Sequence, residues 1–232
     1  EEQEKLQCSV QYISFPSKSY RNEEERSIVI DALRQSKEAN ISVINLTFAR
    51  EEDIWMMWDD IITEMTSKSS VAQPAFQWRS RGKLLTFFSD KCGDLVSEAN
   101  IDPEGGVPSI CLTFDGPAGT MTIINAFCFG LPTTTKKRLL AAYLKPATES
   151  SNCTHIVGGE LGGPILIENC VHSLDLDYEI SVDVDLCVAA KSSHDLSECV
   201  CLPGDSSTAY ALVIQLWQQR ASAPDSDARP VR

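Results

Sequence analysis

From Leu174 to Leu186 the chain alternates without interruption. Leu174, Leu176, Tyr178, Ile180, Val182, Val184 and Leu186 occupy the even positions, and Asp175, Asp177, Glu179, Ser181, Asp183 and Asp185 the odd ones. A period of two belongs to the pleated strand, whose successive side chains point to opposite faces. The run therefore predicts a strand, or a bulged pair of strands, with one face buried and the other acidic. The acidic residues of one such face stand ~6.5–7 Å apart, too far to close a calcium loop. They are expected to be solvated, and the sharper expectation is a docking face for a basic partner made of Asp175, Asp177, Glu179, Asp183 and Asp185.

Further strands follow from similar runs at Leu6 to Phe15, Ile41 to Phe48, Phe76 to Trp78, Lys83 to Phe88, Ser109 to Phe114, Met121 to Phe129, His155 to Val157 and Ala209 to Trp217. Arg79-Ser-Arg-Gly82 and Asp115-Gly-Pro-Ala-Gly119 read as the turns between neighbours. Helices interrupt them. Asn22 precedes three glutamates, an Asx cap with acidic residues at the positive end of the macrodipole. Ile54, Met57, Trp58, Ile61, Ile62 and Met65 recur at helical spacing and read as core packing. A third segment follows Thr133-Thr-Thr135, with Leu139, Leu140, Tyr143 and Leu144 inward and Lys136, Lys137 and Arg138 outward. Runs of strands broken by helices predict an α/β (α+β) fold, its sheets covered by helices. The length of 232 residues suits one domain, expected over 1–220, with a polar tail over 221–232.

Charge and cysteine usage narrow the function classes. Lys and Arg total 20 against 33 Asp and Glu, a net charge of −13, and no basic stripe offers phosphate contacts, so nucleic-acid binding is not expected. No stretch approaches the ~18–20 apolar residues of a membrane span. The 9 cysteines are odd in number. Cys111, Cys128 and Cys187 sit within apolar runs, and no pair has zinc-type spacing. A reducing, intracellular compartment is the expectation. The sequence begins at Glu1, consistent with a removed leader or a fragment. Asn45-Leu-Thr47 is a glycosylation sequon inside an apolar strand run.

No motif for nucleophilic or metal chemistry assembles locally. The 3 histidines, His155, His172 and His194, fall in separate elements without spaced partners. Gly158-Gly159-Glu-Leu-Gly162-Gly163 lacks the Lys-Ser/Thr of a phosphate-binding loop and reads as a tight turn. What does assemble is an order: the strand Met121-Thr-Ile-Ile-Asn125-Ala-Phe127, the helix from Lys136 to Leu144, then His155-Ile-Val-Gly-Gly159-Glu160-Leu-Gly162, with Thr208-Ala209-Tyr210 before a last apolar strand.

That order, spanning Leu6 to Trp217, resembles the endonuclease/exonuclease/phosphatase family, the DNase I-like fold. The resemblance implies a four-layer sandwich of two packed β-sheets flanked by helices. It also implies a divalent-metal phosphoesterase site at the strand ends, yet the required residues are replaced. The metal-binding carboxylate position falls on Phe48, the first histidine on Phe127, the Asp-x-Asn pair on Glu160 and Gly162, and the last Asp-His on Ala209 and Tyr210. The first-strand asparagine is also lacking, in Gln11-Tyr12-Ile13-Ser14, while Asn125, Gly82 and Asp185 remain. The expectation is a pseudoenzyme without cofactor, acting as a structural or interaction subunit of a hetero-oligomer. The alternative is a divergent magnesium phosphoesterase using Glu160 and Asp185. On the resemblance, Phe48, Phe127, Glu160 and Tyr210 should converge.

Overall fold

The computed structural model describes residues 6–14, 22–36, 41–46, 51–67, 75–102, 105–116, 119–128, 130–145, 153–176, 178–183, 186–191, 196–202 and 210–218. In chain order the elements are β1 (Leu6–Ser14), α1 (Glu23–Ser36), β2 (Ile41–Asn45), α2 (Ile54–Thr66), β3 (Phe76–Arg81), β4 (Leu84–Ser89) and β5 (Asp94–Ala99). Then come β6 (Ser109–Gly116), β7 (Gly119–Phe127), α3 (Thr133–Leu144), β8 (Cys153–Glu160), α4 (Pro164–Ser173), β9 (Glu179–Asp183), β10 (Leu186–Lys191), β11 (Leu196–Leu202) and β12 (Tyr210–Gln218). One sheet has the order β11-β12-β1-β2-β4-β3 and the other β5-β6-β7-β8-β10-β9. Each contains one parallel pair, β1/β2 and β7/β8, whose strands are joined through a helix, and its other pairs are antiparallel.

Parity along the strands sorts the core into three layers. Val10, Tyr12, Ile41, Val43, Leu84 and Phe88 of the first sheet meet Leu112, Phe114, Ile123 and Ile156 of the second, forming the interior between the sheets. The opposite parity of the first sheet, Ile13, Ile44, Leu85 and Phe87, packs against Val29 and Leu33 of α1 and Met57, Ile61 and Met65 of α2. Ile124, Ala126 and Val157 of the second sheet pack against Leu139, Leu140, Tyr143 and Leu144 of α3 and Ile167 and Val171 of α4. The result is a helix–sheet–sheet–helix sandwich.

Two polar side chains fasten the sheets together inside this interior. The Tyr12 hydroxyl donates to the Ile124 carbonyl at 3.1 Å. Asn125 Nδ2 donates to the Leu85 carbonyl at 3.1 Å and, at 3.4 Å, to the Ile44 carbonyl and Thr86 Oγ1. A buried polar group left unmatched costs about 1–3 kcal/mol, so these bonds fix the relative placement of the sheets as well as adding stability.

The structure revises the long alternating run. Asp175 is not a member of a strand ladder: it lies beyond the C-terminus of α4 with φ 52°. The Leu176 amide donates to the Val171 carbonyl and the Asp175 amide to the His172 carbonyl, both at 3.1 Å, which is a Schellman closure. Strand pairing begins only at Glu179, and Asp183 faces Leu186 across the β9/β10 ladder. Glu179 and Asp183 are thus on one strand, whereas Asp177, Val184 and Asp185 lie outside the described residues. The apolar parity holds further: Tyr178 is buried with its hydroxyl donating to the Leu144 carbonyl at 2.9 Å, and Leu176 and Ile180 pack on the same cluster. The strands β5 and β11, all of β10 beyond Leu186, and the helix α4 have no counterpart in the sequence reading. The β3/β4 turn is shorter than expected, with Arg81 paired to Leu84 and Gly82 at φ 57°.

Candidate functional site

The site implied by the resemblance lies at the end of the sandwich where β2, β7 and β8 finish. Phe127 and Glu160 end β7 and β8 as parallel register partners. Both share the parity of Ile123 and Ile156, so they belong to the face turned toward the other sheet. Across the interior, Asn45 ends β2 with 1% exposure and is paired to Ser14 of β1, which in turn is opposite Tyr210 at the start of β12. The backbone of Tyr210 therefore sits at this same end. Phe48 lies outside the described residues, as does Asp185.

Close approach of the strands shapes the corner. A Cβ on Gly158, two residues before Glu160, would collide with the Tyr12 ring, and one on Gly159 would collide with the Ala126 carbonyl. The Gly-Gly pair is therefore required by sheet-to-sheet and strand-to-strand contact, rather than by a bound phosphate. Gly162 has φ 92° in the link to α4, with the Lys136 side chain packed over it. Glu160 is 2% exposed and its carbonyl accepts the Cys128 amide at 2.8 Å. The corner thus presents a ring, an amide anchored on backbone carbonyls, and one buried carboxylate.

In front of Phe127 a groove of about 510 Å³ is lined by Ile54, Trp55, Trp58, Leu84, Pro108 and Phe127, with Glu51, Gly82 and Lys83 at its margin. Trp55 and Trp58 meet edge to face at 5.5 Å between ring centroids. Trp55 is off the buried stripe of α2 and is 76% exposed, a feature the sequence periodicity did not single out. Trp58 is half-buried, so it serves both core and groove. Lys83 Nζ lies 3.2 Å from Glu51 Oε1.

The Pro108 wall is held from behind. Arg138 makes two hydrogen bonds to the Asp102 carboxylate, at 3.0 and 3.3 Å, and the side chain that was expected to point outward is thereby tied to the loop before β6. The Arg138 guanidinium, with help from the Val107 and Gly105 amides, holds the Asp102 carboxyl below the usual carboxylate range against the opposing effect of burial. Asn100 Oδ1 accepts from both the amide and hydroxyl of Ser109 at 3.1 and 2.9 Å. Burial shifts the nearby acids the other way: the Cys128 thiol is pushed up to about 12 despite Lys136, Cys111 up to about 11, and Tyr12 well above its ordinary value. None of these is poised as a nucleophile at neutral pH.

The remaining candidates are scattered. His155 is buried with Nε2 2.8 Å from the Tyr143 carbonyl and its ring edge-on to Tyr178, a core histidine. His172 is in the last turn of α4, and His194 is outside the described residues. Among the described residues no group of three His, Cys, Asp or Glu side chains is placed to hold a metal ion. Magnesium asks for several oxygen ligands in near-octahedral geometry, and the described residues of the corner supply one carboxylate, Glu160, with the side-chain amides of Asn45 and Asn125. No described helix is long and apolar enough to cross a membrane.

No protein-family model matches the sequence, and no curated protein does. Solved structures do match. D. rerio TDP2 humanised by 14 mutations aligns with TM-score 0.59 at 7% identity, over 92% of this chain and 99% of that one. An endonuclease/exonuclease/phosphatase family protein from Bacteroides thetaiotaomicron aligns at 0.56 and 8%, over 93% and 99%. The fold is DNase I-like. The endonuclease domain of TRAS1, a telomere-specific non-LTR retrotransposon, shares it at 0.55 and 9%, over 93% and 100%. At such identities the DNase I-like match establishes architecture alone, and the chemistry must be argued from this chain's residues.

Proposed function

We propose that this chain is a non-catalytic DNase I-like domain serving as a structural or protein-interaction subunit of a larger assembly. The observation that carries the reading is Phe127. It ends β7 where the resemblance requires a histidine, and it turns its ring into an apolar groove. A phosphoester transition state needs donors and positive charge aimed at developing anionic oxygens. The Phe127 ring supplies neither, Lys83 at the groove margin is drawn to Glu51 at 3.2 Å, and the apolar lining keeps the local dielectric low where a bare dianion would have to enter. Glu160 gives the corner one buried carboxylate, and among the described residues no group of three His, Cys, Asp or Glu side chains is placed to hold a metal ion.

The net charge of −13 supports a protein partner over a nucleic acid, because phosphate backbones are repelled on average. Exposed carboxylates steer basic surfaces, and Asp175 is one such exposed carboxylate. The domain needs no metal in this reading. A reducing compartment suits Cys92, Cys111, Cys128 and Cys170, all thiols. The test is hydrolysis of bis(p-nitrophenyl) phosphate with magnesium or manganese. The expected result is a rate equal to buffer with the metal. Turnover that disappears in Glu160→Ala would replace this reading with that of a divergent metal-dependent phosphoesterase.

A further inference from the structure

We propose that the groove in front of Phe127 takes a large apolar side chain, aromatic or leucine-sized, presented by a basic segment of a partner protein. The proposal rests on the non-catalytic reading and names where and by what chemistry the partner docks. Trp55 is the starting point. An indole 76% exposed on the first turn of α2 is apolar surface left in water, and burying its ring is worth more than burying any neighbouring side chain. Its edge-to-face contact with Trp58 at 5.5 Å holds it upright as a groove wall. Ile54, Leu84, Pro108 and Phe127 form the remainder of the apolar lining. The volume of about 510 Å³ falls in the range of sites that enclose a compact apolar group, roughly 300–1,000 Å³.

The margin decides the charge of the guest. Glu51, 85% exposed in its side chain, lines the groove, and Asp59 is exposed one turn along α2 from Trp55. Among the described residues Lys83 is the one cation lining the groove, and it is drawn to Glu51 at 3.2 Å. A phosphate or acidic segment entering here meets carboxylates, whereas lysine or arginine flanking an apolar anchor meets complementary charge. An arginine has a second reward, since its guanidinium stacks on an exposed indole face. Interfaces concentrate their binding energy in tryptophan and similar anchors seated in pockets ringed by polar residues, and this groove has that composition.

The experiment is a selection of random dodecapeptides displayed on phage against the purified chain, followed by titration of the recovered peptides in synthetic form. The expected sequences carry Trp, Phe or Leu flanked by Lys or Arg. Their affinity should fall at least tenfold on Trp55→Ala and several-fold on Glu51→Lys, and weaken as salt is raised. Because Trp55 is exposed, the variant should keep the melting temperature of the parent, which excludes misfolding as the cause. Recovery of acidic or uncharged sequences, of none, or of peptides that bind Trp55→Ala undiminished would overturn the proposal. The phosphodiester assay above is independent of this one: turnover with no peptide binding removes both readings, and no turnover with no peptide binding removes this one alone.

Discussion

Gly158 shows how one missing methyl sets the shape of the corner. Its inward position on β8 is occupied by the Tyr12 ring, which reaches across to donate to Ile124, so the two sheets touch where a side chain would hold them apart. Gly158→Ala should therefore destabilise by about 1–3 kcal/mol, the cost of overpacking a filled core, read as a lowered urea midpoint. Tyr12→Phe keeps the ring and removes the donor, leaving the Ile124 carbonyl without this bond, and should cost about 1 kcal/mol. The buried thiols make a pH statement. Cys111 and Cys128 titrate near 11 and 12 in the fold against about 8.5 when unfolded, so the folded state binds these protons more tightly. Stability from this source is complete below about pH 8.5 and is lost as pH rises through the folded values. Melting temperature should fall between pH 9 and 11, and the fall should lessen in Cys128→Ala. An unchanged slope in that variant would show that other groups control it.

At the scale of elements, the alternation of polar and apolar residues located most strands and failed where another signal competed. The parity of Tyr178 and Ile180 is right, but the same alternation continued back through Leu174 and Leu176, which close α4. Three local bonds at a helix end overrode a pattern that periodicity alone cannot distinguish from a strand. Asp175 adopts the left-handed conformation that the closure demands, and Gly adopts it without a Cβ penalty. Asp175→Gly should be neutral to stabilising by up to about 1 kcal/mol, whereas Asp175→Val should destabilise by about 1–2 kcal/mol. A loss in both variants would mean that the carboxylate itself is needed. The helix α4 escaped notice because Gly163-Pro164 reads as a turn, although proline at the first helical position is pre-organised for helix. β5 escaped because it is an exposed strand with its register broken between Leu95 and Ser97.

The loop before β6 belongs to the same scale. Asp102 is held in its ionised form by Arg138, so its folded pKa lies below the unfolded value of about 3.9. The stability it contributes is present above that value and is lost as pH falls through the depressed folded one. Arg138→Gln should lower the melting temperature at pH 7 and flatten the acid limb of its pH profile. Equal loss at pH 2 and pH 7 would assign Arg138 a packing role instead.

For the whole molecule, the four-layer architecture was legible because the order of strands and helices, with Asn125 and the Gly-Gly-Glu segment as landmarks, is the pattern of this fold. The groove was not. Trp55 lies off the apolar stripe of α2, Pro108 is brought in by a loop pinned through Asp102, and Asn45 reaches the corner through the parity of β2; each depends on contacts between distant segments. The central claim is that divalent ions find no seat at the strand ends. Manganese titrated into the ¹⁵N-labelled chain measures this directly, because a bound ion broadens amide signals within reach of its unpaired electrons. The account predicts no saturable broadening at Asn125, Phe127 and Glu160 beyond that at exposed surface carboxylates. Saturable broadening centred on those three amides, and abolished by Glu160→Gln, would contradict it.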